Sequence, residues 1–152
     1  MKKFIVFLFI SVMALPLSSG IYAQSKKKSA TKAKTSVVKE QIGEPIQEIL
    51  NQNDQITASL DEVDPSIVYQ IIKTQAFLGP AAQVAASNPG YRLNGADKQA
   101  LKNSFSKMLN AMKPGLVKNG NSQAQVNNLI EGIKTELNKS INQMTTLSGF
   151  YM

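Results

Sequence analysis

The chain contains no cysteine, no histidine and no tryptophan. Without cysteine there is no disulfide framework, no thiol nucleophile and no anchor for a lipid on sulfur. Without histidine as well, the commonest transition-metal ligands and the usual general base near neutral pH are gone. Long apolar runs are missing too, with one exception at the very start. No segment beyond it is apolar enough to span a bilayer, which takes about 20 mostly apolar residues. Acidic residues number only ten against 17 Lys and Arg, a formal net charge of +7.

The exception is informative. Met1-Lys2-Lys3 is basic, Phe4 to Leu15 is apolar apart from Ser11, and Pro16, Ser18, Ser19 and Gly20 break any helix before Ile21-Tyr22-Ala23-Gln24. That order of basic start, apolar core, breakers and small residue is expected of a secretory signal peptide, cut after Ala23, over residues 1–23. An uncleaved anchor is the competing reading, and Ile21 is larger than ideal at its place before the cut. The expected location is periplasmic or secreted, as for a bacterial exported protein. Removing 23 of 152 residues leaves 129, enough for one domain with a real core.

The net charge is unevenly placed. Lys26, Lys27, Lys28, Lys32 and Lys34 lie in a low-complexity stretch, within residues 24–36, whose largest apolar side chain is alanine. Such a segment cannot bury itself and is expected to be a disordered basic tail. Its five ammoniums are candidate contacts for an anionic envelope lipid or glycan, the alternative being a solubilising spacer. Nucleic acid is a poor partner, since no aromatic residue interleaves the lysines for base stacking. From Ser36 the chain is neutral but divided. Ser36 to Asp64 carries Lys39 against seven carboxylates, whereas Pro65 to Met152 carries nine bases against Asp97, Glu131 and Glu136. An acidic first helix facing basic later ones is the simplest expectation.

Residues 37–152 read as an all-α domain, an antiparallel bundle of about four helices. The first helix opens near Pro45, with Val37 and Val38 as a lead-in. Ile42, Ile46, Ile49, Ile56, Leu60 and Val63 form its apolar row at alternating steps of four and three, with Asn53 in one seat. Asp64-Pro65 restarts the chain for a second helix carrying Ile67, Val68, Ile71, Ile72, Gln75 and Leu78. Gly79-Pro80 should bend or end it, with a further turn or two over Ala81 to Ser87 before Asn88-Pro89-Gly90. Asn94 with Asp97 resembles a capping pair for a third helix, Leu101 to Met112, stopped by Lys113-Pro114-Gly115. Ser122 with Gln125 is a capping box for the last helix, expected to reach Ser148 before Gly149, roughly 39 Å of helix with one end projecting.

Several residues invite a functional reading. The polar Asn53 within the row Ile46, Ile49, Ile56 and Leu60 could set the register of self-association with a second copy, the alternative being an Asn bonded inside the bundle. Phe150 and Tyr151 either fold back on the bundle or form a docking tail for a protein partner, and Tyr91-Arg92 is a lesser amphipathic pair. Asn51 to Glu62 lacks the glycine a calcium loop needs at its sixth place, where Ile56 stands. The Asp61-Glu62-Asp64 run reads as solvated helix-end charge, so no metal site is assigned. Ser104 precedes Lys107 by three but sits on a helix face, and neither a Gly-x-Ser-x-Gly elbow nor a phosphate-cradling loop is present. No catalytic residue and no cofactor is assigned.

The expectation is therefore a non-enzymatic exported helical domain acting by surface contact with an envelope component or a protein. The alternatives are a self-associating module built on Ile42 to Val63, a carrier of a small apolar ligand, or an enzyme whose polar pocket would involve Glu131, Glu136 and Lys107.

Overall fold

The capping signals written in the sequence set most helix starts. In the computed structural model, which describes residues 41–151, α1 spans Glu44–Ser59, with extended Gly43 as N-cap and Pro45 in the first turn. A 3₁₀ turn, Leu60–Glu62, carries the helix on far enough to keep Leu60 on the buried face. Asp64 accepts a hydrogen bond from the Ser66 backbone N–H at 2.8 Å and starts α2, Pro65–Lys73. α3 spans Gly79–Ser87, α4 Gly95–Lys118 and α5 Gln123–Gln143. Both predicted capping boxes are formed, Asn94 with Asp97 and Ser122 with Gln125. The described residues are all-α. Their one extended pairing is an isolated antiparallel bridge between Arg92 and Thr146. No described helix is long and apolar enough to cross a membrane.

Three boundaries differ from the sequence reading. The second helix ends at Lys73, before Gly79-Pro80: Gln75 is left-handed at φ 56°, and a 3₁₀ turn over Ala76–Leu78 follows. Gly79-Pro80 begins α3 instead, because proline suits a first turn where no N–H partner is required. The second rod is thus two short helices rather than one.

Pro114 does not stop α4, which runs on to Lys118. The carbonyl that loses its partner belongs to Asn110, which is exposed, so water can take the bond, while Leu116 beyond it is fully buried. Gly115 lets α2 press closely, since a Cβ there would lie 3.0 to 3.2 Å from three Val68 atoms. Finally, α5 stops at Gln143. Met144 turns extended, and the chain folds back through a 3₁₀ turn, Leu147–Tyr151. At 21 residues α5 is roughly 32 Å long rather than 39.

Contacts fix the directions of the rods. Gly43, Asn53 and Asp54 meet Asp97, Ser104 and Lys107 in turn, so α1 runs parallel to α4 and packs directly on it. Val68 lies by Gly115, and the Phe77 ring meets the Phe105 ring edge-on at 6.4 Å, so α2 runs against α4. Lys113 and Lys102 meet Glu131 and Asn142, so α5 also runs against α4. α4 is the central rod. Leu101, Phe105, Met108, Leu109, Met112 and Leu116 are all buried along it. The expected charge match between the acidic first helix and later lysines amounts to one exposed ion pair among the described residues, Asp54 with Lys107 at 2.8 Å. Such a pair contributes about 0–1 kcal/mol, so orientation rests on the apolar stripes.

Candidate functional site

α5 differs from the other helices in its neighbours. Its substantial packing is against α4 alone, through Val126, Ile130 and Ile141, which are buried. The flank turned toward Phe77 and Leu78 is only partly covered by the described residues. Between them lies an open groove of about 570 Å³, a volume within the roughly 300–1,000 Å³ of ligand pockets.

Its walls follow from helix geometry. Leu129, Ile133 and Leu137 recur at steps of four along α5, a stripe adjacent to the buried one. Leu129 is 44 % exposed, one of three large apolar residues so exposed among those described. Gly132 interrupts this wall with no side chain, and a Cβ added there would meet nothing within 4 Å. The opposite wall exists because of Gln75. Its left-handed backbone, roughly 1–2 kcal/mol uphill for a residue with a Cβ, turns the chain so that Phe77 enters the core while Leu78 stays half-buried at the groove.

The polar groups on the groove are Gln75, Asn128, Glu136 and Ser140. Glu136 is the ionisable one, and it makes no ion pair among the described residues. Glu131, one turn earlier, behaves differently: it pairs with Lys134 at 3.0 Å and Lys113 at 3.4 Å. These bonds, Lys134 first, hold its carboxyl below the usual range.

A second polar cluster lies at the N-terminal end of α4 and is structural in character. Asp97 is fully buried and accepts from the Gly43 N–H, the Asn94 N–H and the Tyr91 hydroxyl, each at 3.0 Å. Both carboxylate oxygens thus have donors from the chain's own backbone and side chains. Burial, then the bond to Asp97, raises the Tyr91 phenol above its usual pKa. Sequence spacing identified Asp97 as a cap; that its carboxylate also collects Tyr91 and Gly43 required the fold.

The remaining sequence-derived sites fall as follows. Lys26, Lys27, Lys28, Lys32 and Lys34, the signal segment and Val37-Val38 lie outside the described residues. Ile46, Ile49, Asn53 and Leu60 are buried, and Ile56 is partly buried, all within the chain's own fold against α4 and its neighbours. Asn53 donates to Ser104 Oγ at 3.1 Å, and its Oδ1 has no hydrogen-bond partner. The row therefore packs on α4 of the same chain, with Ile42 at its start left exposed. Phe150 packs on Phe105 at 5.9 Å between ring centroids, the fold-back arrangement. Arg92 is exposed. Glu131, Glu136 and Lys107 do not converge: Lys107 pairs with Asp54, and only Glu136 lines the groove. No metal-holding group of three or more acidic residues occurs among the described residues.

Helix periodicity groups Ile133 and Leu137 with the buried face of α5, and both are partly buried against the core, so periodicity alone does not reveal the groove. Leu129, outside that face, was the available signal. No protein-family model matches the chain, and neither does any curated protein or solved structure.

Proposed function

We propose that the protein is an exported, non-enzymatic antiparallel helical bundle, periplasmic or secreted, that acts by surface contact with a component of the cell envelope. The observation that carries this reading is the open apolar groove in which exposed Leu129 and half-buried Ile133 and Leu137 of α5 face Phe77 and Leu78. Contiguous exposed apolar surface on a small domain is disfavoured unless something covers it during function. The order of the first 23 residues supports export. The lysines from Lys26 to Lys34 support an anionic envelope lipid or glycan as the surface approached, by attraction that needs no fixed structure.

The test is recovery of envelope components on immobilised protein, comparing the intact exported chain with one lacking Ser25 to Thr35 and with an Ile133→Glu variant. Recovery of anionic lipid or glycan should fall on deleting the lysines, and recovery of the components held by apolar contact should fall when the groove is charged. Equal recovery by all three would overturn the reading.

A further inference from the structure

We propose that the groove between α5 and the Ala76–Leu78 turn binds a single-chain amphiphile with an ammonium head, the head on Glu136 and the tail along Leu129 and Ile133. This rests on reading the same face as the contact surface, and it names what that face takes.

Shape comes first. The lining residues of α5 run from Asn128 to Ser140, which is roughly 18 Å along the helix at 1.5 Å per residue. A volume of about 570 Å³ along that length has room for one extended hydrocarbon chain. Leu129, Ile133, Leu137, Phe77 and Leu78 supply hydrocarbon to the walls. Gly132 leaves open space where any other side chain would narrow the channel.

Charge decides the head. The one ionisable residue on the groove is a carboxylate, Glu136, that makes no ion pair among the described residues. The lysines nearest in sequence are Lys134, committed to Glu131, and Lys139, which does not line the groove. An ammonium would gain a charge-assisted hydrogen bond there, an uncharged head would gain little, and a sulfate or phosphate head would be repelled. Ser140, Asn128 and Gln75 add neutral hydrogen-bonding groups along the rim.

The experiment holds the tail constant and varies the head. The purified protein is titrated with dodecylammonium, dodecyl maltoside and dodecyl sulfate, each below its micelle concentration, while the amide resonances of Leu129, Gly132 and Ile133 are followed. At those amides the ammonium compound should bind about fivefold more tightly than the maltoside, and the sulfate more weakly than either. Glu136→Gln, an exposed change that leaves the core intact, should erase the difference between heads. Gly132→Leu should weaken all three. Each added methylene should tighten binding roughly threefold until the tail outruns the groove.

Equal binding of the three heads, or tightest binding of the sulfate at these amides, overturns the proposal. So does a dimer in sedimentation that Ile133→Glu dissociates, which would put a second copy in the groove. If no amphiphile shifts these amides while envelope recovery still depends on Ile133, the ligand assignment fails and the broader contact reading survives.

Discussion

The Tyr91 hydroxyl donates a 3.0 Å hydrogen bond to the fully buried carboxylate of Asp97. The same carboxylate holds the N–H of Gly43 ahead of α1 and caps the start of α4. Through Tyr91, whose carbonyl accepts the Leu147 N–H at 3.0 Å, it also reaches the C-terminal fold-back. One buried charge thus joins three segments distant in sequence.

Removing the acceptor should therefore be severe. Asp97→Ala leaves three donors without a partner, and stability should fall by about 3 kcal/mol or more, with Tyr91→Phe costing about 1.5. Gly43→Ala should resemble Tyr91→Phe, because a Cβ at that position would overlap the tyrosine hydroxyl. Urea denaturation checks this: the midpoint should drop with the slope unchanged.

Alkaline pH should act through the same bond. Folding raises the Tyr91 pKa above 10.0 by burial and by its bond to Asp97. The folded state then holds the proton more tightly than the unfolded chain. This contribution is complete below pH 10.0 and is lost as pH rises through the folded value. Midpoints measured at increasing pH should converge for wild type and Tyr91→Phe above that range. Asp64 has the opposite sign, since bonds from the Ser66 side chain and backbone lower its pKa below 3.8. Its contribution is present above the unfolded value and is lost as pH falls through the folded one, so Asp64→Asn should flatten that acid loss.

Two glycines inside helices should respond oppositely to alanine. Gly132→Ala places a methyl in open space and should stabilise by about 0.5–1 kcal/mol from helix propensity. Gly115→Ala drives a methyl against Val68, whose branched side chain is stiff, and should destabilise by about 1 kcal/mol or more despite the same propensity gain. Thermal unfolding of the pair decides it.

The Asn53–Ser104 pair should prove dispensable for stability, and the chain's oligomeric state should not depend on Asn53. Its Oδ1 is buried without a partner, so replacing it together with Ser104 removes both halves of one bond and an unsatisfied acceptor. Asn53→Leu with Ser104→Ala should be neutral or stabilising by about 1 kcal/mol, whereas Asn53→Ala alone should destabilise. Sedimentation should give the same oligomeric state for wild type and Asn53→Ile.

The C-terminal segment should contribute as core rather than as tail. Leu147 is fully buried and Phe150 lies on Phe105. Leu147→Ala should lower stability by about 2–5 kcal/mol. Limited proteolysis should find the 144–151 segment protected in wild type and cleaved in that variant.

Local chemistry by itself determined helical class, the buried row from Ile46 to Leu60, and the starts at Pro45, Asp64, Asn94 and Ser122, because caps and 3.6-residue periodicity act within a turn or two. It could not place the ends that long-range packing controls. α4 passes Pro114 because Leu116 gains more by burial than one solvent-facing carbonyl loses. α5 stops at Gln143 because Leu93 and Tyr91 offer backbone partners to Thr145 and Leu147. The groove was hidden for a related reason. Periodicity tells which residues of α5 share a face, but whether a neighbour covers that face depends on where the second rod lies, and its bend at Gln75 was settled only by tertiary packing.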